Sequence, residues 1–247
     1  MPPNDNNEFL IDSEILRKWL EIINRRVFND TIKAYGPDDL PDSFKQSHQS
    51  LLSMKRGGGY WLWRAIILKQ AFDIINENDI LVFLDAGSSI NMNGKKTFFE
   101  YIQKLNNSPY GVLSFKINYT ERVWTIKEIF DYYDIDTNSA YALSEQYWGG
   151  CIILRKNDHS RKFLEEFVSV TLSKPELFTD IYNSGQIKSF IENRHDQSIS
   201  SIIRKKIGSV VINESPDVFL NYIPFWATRI RNYKPPLKSN KKKILFL

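Results

Sequence analysis

The sequence predicts a layered α/β protein, and three observations carry that expectation. Short apolar runs of strand length alternate with longer segments of helical periodicity. A chain of 247 residues, 42% hydrophobic and 14% aromatic, can bury one large core as a single domain. The most apolar of the short runs, residues 80–84, stops abruptly at Asp85-Ala86-Gly87. An acid at the end of a buried strand is where open α/β sheets bind their ligands.

The elements follow in order. Ser13 is positioned to cap a helix, and Ile15, Leu16, Trp19, Leu20, Ile22 and Ile23 recur at helical spacing up to about Arg26. Residues 31–35 read as a short strand and Gly36 to Pro41 as a loop. A long apolar stretch, 60–75, predicts a buried helix feeding the strand at 80–84 across a polar turn. Further helices are expected at 94–105, 125–133, 160–172 and 196–206, with Asn157 or Asp158 as a cap. Further strands are expected at 110–115, 140–143, 151–154 and 209–212.

Composition narrows the class of protein. No run approaches the roughly 18 apolar residues that span a bilayer, and residues 1–8 lack the features of a secretory signal. The single cysteine, Cys151, rules out an internal disulfide and fits a reducing, cytoplasmic setting; in its strand it reads as a core thiol. The formal net charge of +4 is gathered at Lys238 and Lys241 to Lys243, a solvated tail at 238–247 with a possible peripheral hold on an anionic membrane surface. Nothing else resembles a nucleic-acid module, so no nucleic-acid partner is expected.

Chemistry concentrates in a few places. Asp85 either caps its turn, with Gly87 free to take a positive φ, or lines a site. One helix upstream lies Lys55-Arg56-Gly57-Gly58-Gly59-Tyr60-Trp61-Leu62-Trp63-Arg64. Its glycines permit close approach of backbone amides to a ligand, and Arg56 and Arg64 suit phosphate or sugar hydroxyls. Tyr60, Trp61, Tyr147, Trp148 and Trp226 offer rings for stacking on a sugar or base, Trp148 first because it abuts Gly149 and Gly150, and Tyr60 second.

These motifs, in this order, resemble GT-A glycosyltransferase-like proteins of bacterial and large-virus surface-glycan systems. The shared pattern runs from basic-Gly-x-Gly-Tyr-Trp-x-Trp to Leu-Asp-Ala-Gly, through Glu121 and Trp124-Thr125-Ile126-Lys127, to Arg194-His195-Asp196-Gln197-Ser198-Ile199. It covers residues from about 35 to about 208. The resemblance implies a Rossmann-like mixed sheet flanked by helices, a domain at 1–237, and transfer of a sugar from a nucleotide-sugar donor to a glycan or lipid-linked acceptor. It also implies a divalent cation, manganese or magnesium, on the donor diphosphate, with Asp85 as first ligand and His195 as an additional one.

The usual Asp-x-Asp is shortened here to Asp85-Ala86-Gly87, so the second carboxylate is absent. By the same resemblance Arg56, Gly58, Tyr60, Arg64, Asp85, Gly87, Trp148, Gly149 and Gly150 hold the donor, and Asp196 and Gln197 lie at the reacting sugar. Asp196 either acts as base for an acceptor hydroxyl or orients the sugar, and it also suits the N-cap of its helix. The opening strand usual in this fold looks truncated in 1–10. Residues 222–229 either close over the donor, with Arg229 near phosphate, or pack on the core.

Overall fold

A computed structural model describes residues 33–228. The expected helix at 13–26, the opening segment, Arg229 and the lysine tail lie outside the described residues, as does the domain boundary at 237.

Among the described residues seven strands are formed: β1 (Ile80–Leu84), β2 (Ser89–Ile90), β3 (Val112–Thr120), β4 (Glu145–Tyr147), β5 (Cys151–Arg155), β6 (Val210–Ile212) and β7 (Phe225–Trp226). The longer helices are α1 (Arg64–Ile74), α2 (Lys95–Asn106), α3 (Asp158–Ser173) and α4 (Asp196–Ile207). β5 runs antiparallel between β1 and β3, β6 joins β3 in parallel, and β4 continues antiparallel along the far half of β3. The sheet is therefore mixed, in one domain. β2 and β7 make a separate two-stranded ribbon.

Alternation along each strand sorts its side chains to two cores. Leu81, Phe83, Val112, Ile152 and Leu154 face one way, against α1, α3 and α4 with Leu68, Phe72, Phe163, Phe167 and Ile202. Leu84, Leu113, Phe115, Cys151 and Ile153 face the other, against Phe98, Tyr101 and Leu105 of α2 and Phe225 of β7. Burying each such side chain contributes about 1.5–3 kcal/mol, so the sheet is fixed from both faces. The Cys151 thiol is fully buried, and desolvation raises its pKa well above the ordinary value, as befits a core residue.

Several expectations are corrected. Lys33 to Tyr35 form no strand. The helix expected from residue 60 starts only at Arg64, because Tyr60 and Trp61 are in the left-handed region. Ala140–Leu143 is one turn of helix rather than a strand; the Ser139 side chain caps it by accepting the Ala142 N–H. β3 runs to Thr120, beyond the apolar stretch that announces it, because its polar end pairs with β4. At α3, Asn157 is the cap, joined reciprocally to Ser160.

Candidate donor-binding site

The antiparallel register decides where the site forms. Leu84 pairs with Cys151, so the carboxyl end of β1 meets the amino end of β5, and the Asp85 N–H donates to the Gly150 carbonyl at 2.8 Å. Arg64, at the first position of α1, reaches this edge and donates through Nη2 to Asp85 Oδ1 at 2.7 Å. Its Nη1 bonds Oδ2 of Asp196, in the first turn of α4. One guanidinium thus joins two carboxylates from two elements. It lies over the Phe83 ring at 5.2 Å and is only 3% exposed.

The two acids differ in access. Asp196 is 3% exposed, whereas Asp85 keeps 35% of its side chain open. Burial pushes Asp196 up to about 7, the Asp85 charge adding to that shift and Arg64 opposing it. Desolvation also raises Asp85, again against the pull of Arg64. An acid whose pKa is higher folded than unfolded stabilises the fold fully only below its unfolded pKa of about 4, and that contribution is lost as pH rises towards 7. Chemical denaturation across pH 4 to 8 should therefore show a decline in stability that Asp196→Asn lessens. An unchanged slope in that variant would remove Asp196 as its source.

The glycines beside Trp148 serve this arrangement. A Cβ on Gly149 would lie 3.0 Å from Gln197 Cβ and 3.1 Å from Arg64 Nη1, so its absence lets the guanidinium lie against the strand. The Gly149 N–H donates to Gln197 Oε1 at 3.0 Å, and Gln197 Nε2 donates to Gln146 Oε1 at 2.7 Å. Gln197 therefore holds the bend between β4 and β5, with both ends of its amide engaged. Gly150 makes room for the Trp148 indole, which a Cβ would approach to 2.6 Å.

Two expected stacking rings are corrected by this packing. Trp148 is 7% exposed and sits edge-on to Phe115, and Tyr60 is 6% exposed in the opposite core. Neither ring presents a face to a ligand.

The glycine-rich segment is also built for the backbone. Gly57, Gly58, Gly59, Tyr60 and Trp61 all have positive φ, a left-handed turn that L-residues resist and glycine tolerates. A Cβ on Gly59 would meet Leu52 Cα at 2.7 Å. The N–H groups of Gly58, Gly59, Tyr60 and Trp61 donate to Lys55, Met54, Arg56 and Gly57 carbonyls, so these amides are committed within the turn rather than aimed at a ligand. Gly87 is not among the left-handed residues; its carbonyl accepts from Thr228 Oγ1 at 3.1 Å.

His195 and Arg56 form a second cluster, joined to the first through the His195–Asp196 peptide. His195 takes φ 56°, ψ −124°, a sparsely populated conformation, and its ring lies 5.2 Å from Tyr60 and 5.3 Å from Trp61. Its Nδ1–H donates to the Phe178 carbonyl at 2.7 Å, and Nε2 faces Asp180 Oδ1 at 3.6 Å. Burial lowers its pKa. Arg56 pairs with Asp180 at 3.0 Å and Glu192 at 3.1 Å.

This geometry bears on the cation. Both imidazole nitrogens are turned to Phe178 and Asp180, Asp196 is bonded to Arg64, and no group of three His, Cys, Asp or Glu side chains among the described residues is placed to hold a metal ion. A cation at this edge would have Asp85 as its protein ligand and depend on donor phosphates and water for the rest.

Two further buried groups brace this edge, and the first carries no motif. Arg204 on α4 is fully buried and donates to the Tyr147 and Trp148 carbonyls at 3.1 and 3.2 Å, pinning the chain just before Gly149. Its only sequence signal is its neighbourhood, directly after Ile202-Ile203 on the inward face of α4. Glu121, part of the motif series, is also fully buried; Lys205 pairs with it at 2.9 Å, and Thr125 and Ser201 donate to it.

No family model matches the sequence, and no curated protein matches it. Among solved structures, the chain is similar to a glycosyltransferase involved in the glycosylation of the major capsid of PBCV-1, with a TM-score of 0.39 and 12% identity over 67% of this chain and 69% of that one. Among the described residues no helix is long and apolar enough to cross a membrane.

Proposed function

We propose that the protein transfers a glycosyl group from a nucleotide-sugar donor to a glycan or lipid-linked hydroxyl acceptor, with the donor bound at the Asp85 edge of the sheet. The observation that carries this reading is the partly open Asp85 carboxylate, fixed by a buried arginine at the end of an apolar strand and facing a two-glycine bend. Such an edge is where α/β sheets take ligands. The order of motifs along the chain supports the same reading.

In this reading Asp85 touches the donor. It accepts hydrogen bonds from donor hydroxyls, or holds a manganese or magnesium ion that arrives with the diphosphate. Arg64, bonded to both carboxylates, holds Asp85 in a fixed orientation towards the donor rather than offering it free charge. Asp196, buried and bonded to Arg64, is a positioning residue, and Gln197 holds the bend.

A second reading, a glycan-binding or scaffold protein with a degenerate transferase fold, is favoured by the loss of the second acid at Gly87 and by the engagement of Asp85 with Arg64. A thermal-shift screen of UDP-, GDP-, CMP- and dTDP-sugars with manganese, magnesium or EDTA separates the two. A donor present at a hundredfold excess over its Kd stabilises the native state by about 2.7 kcal/mol. One donor class should raise the unfolding midpoint. No shift with any donor would favour the binding protein.

A further inference from the structure

We propose that a groove on either side of Tyr141 binds two adjacent rings of a neutral glycan. Two clefts share this residue. One, of about 280 Å³, lies between β4, the last turn of α4 and the Ala140–Leu143 turn. The other, of about 240 Å³, lies between the same helical turn, Lys206 and the Asp134–Asp136 loop. Each is near the lower end of small-molecule sites, roughly 300 Å³, which suits a single sugar ring rather than a nucleotide.

The residue shared by the two clefts is an aromatic one on a capped turn. Tyr141 is 44% exposed, on a turn capped by Ser139 at one end and by Ser144 at the other, where the Ser144 hydroxyl donates to the Tyr141 carbonyl at 2.8 Å. A phenol offers an apolar face to sugar C–H groups and a polar edge to hydroxyls, and holding it costs little side-chain entropy.

The floor of the larger cleft supplies polar partners. The Lys205 side chain is 5% exposed, and its ammonium carries three N–H donors. It is held by Glu121 at 2.9 Å and by Ser144 Oγ at 2.7 Å, over the Tyr147 ring at 5.3 Å, and so fixes the polar floor of the cleft that Lys205 lines. Lys116 and Glu145 stand 3.7 Å apart at its rim, within reach of further hydroxyls. In the smaller cleft Lys206 donates to the Tyr133 carbonyl at 3.0 Å, beside Asp134, Asp136 and Ser139.

Charge selects the class of glycan. Lys116 and Lys205 are each matched by a glutamate, and the smaller cleft is lined by two aspartates beside its one lysine. An anionic sugar would therefore find no net positive potential, whereas a hydroxyl-rich neutral one finds many donors and acceptors.

The chain links the groove to the Asp85 edge: Tyr147, which lines the larger cleft, is three residues from Gly150, the partner of Asp85, so their Cα atoms lie at most roughly 10 Å apart. As a statement about the acceptor the inference rests on the transferase reading; glycan binding itself is measured without a donor.

The test uses immobilised neutral and acidic oligosaccharides, probed with the full chain, Tyr141→Ala and Tyr141→Phe. The wild type should bind neutral glycans, the alanine variant should bind about three- to tenfold more weakly, and the phenylalanine variant should retain the affinity that the ring supplies. The unfolding midpoint of Tyr141→Ala should match the wild type, since the ring is half exposed. Absence of glycan binding, preference for acidic glycans, or full binding by a folded Tyr141→Ala would overturn the proposal. Glycan binding without any donor shift would leave the groove standing and remove the transferase reading.

Discussion

Replacing Arg64 with methionine is expected to lower stability by about 3–5 kcal/mol, the usual cost of removing one partner of a buried ion pair. The guanidinium is 3% exposed and is the cation bonded to Asp196, itself 3% exposed. Without it, burial and the neighbouring Asp85 charge act on Asp196 against only the Gln197 backbone hydrogen bond, and the carboxyl must take up a proton to stay inside. Urea unfolding measures the loss. The double variant Arg64→Met with Asp196→Asn should recover part of it, because the stranded charge is gone and the two effects are not independent. A single variant as stable as the wild type would mean that the two helices do not depend on this guanidinium.

Asp85→Asn is expected to behave in the opposite manner, with fold retained and function lost. Its side chain is 35% exposed, and Arg64 keeps its bond to Asp196, so the change in stability should stay below about 1 kcal/mol. Transfer should fall by at least about a hundredfold, the size of effect seen when one preorganised polar group is removed from a reacting centre. The release of nucleoside diphosphate in the presence of acceptor reads this directly. A folded Asp85→Asn that transfers normally would sink the role given to Asp85.

The sheet is legible in the sequence because its strands announce themselves by apolar content. Residues 80–84 and 151–154 alternate between two cores, and that is why both faces are greasy and both runs stand out. Strand direction has no such signature. The antiparallel pairing of β1 with β5, which brings Asp85 to Gly150, comes from long-range registry that no local pattern records. Four apolar residues at 140–143 fit either a strand or a turn of helix, and the Ser139 cap decides for the helix.

The site is legible in part for a related reason. Arg64 and Asp85 are conspicuous as charges among apolar neighbours, Asp196 stands out through the Arg194-His195-Asp196-Gln197 motif, and the structure joins the three in one cluster. Trp148 is deceptive: the glycine beside it suggests open space for a ligand, but the space is filled by its own indole. The Gly57-Gly58-Gly59 run is similar, since a phosphate cradle and a left-handed turn both require glycine and only the direction of the amides separates them. The groove at Tyr141 sets α4 against a one-turn helix and β4 from a distant part of the chain, and none of its residues carries a motif.

The central claim concerns place: a nucleotide sugar binds where Arg64 links Asp85 to Asp196. Nitrogen-labelled protein titrated with the donor found in the screen tests it directly by nuclear magnetic resonance. The account predicts that the backbone amides of Asp85, Gly87, Gly149 and Gly150 and the Nε–H of Arg64 shift together, with little change at Tyr141. Shifts confined to other surfaces, with the Arg64 signal unmoved, would contradict it.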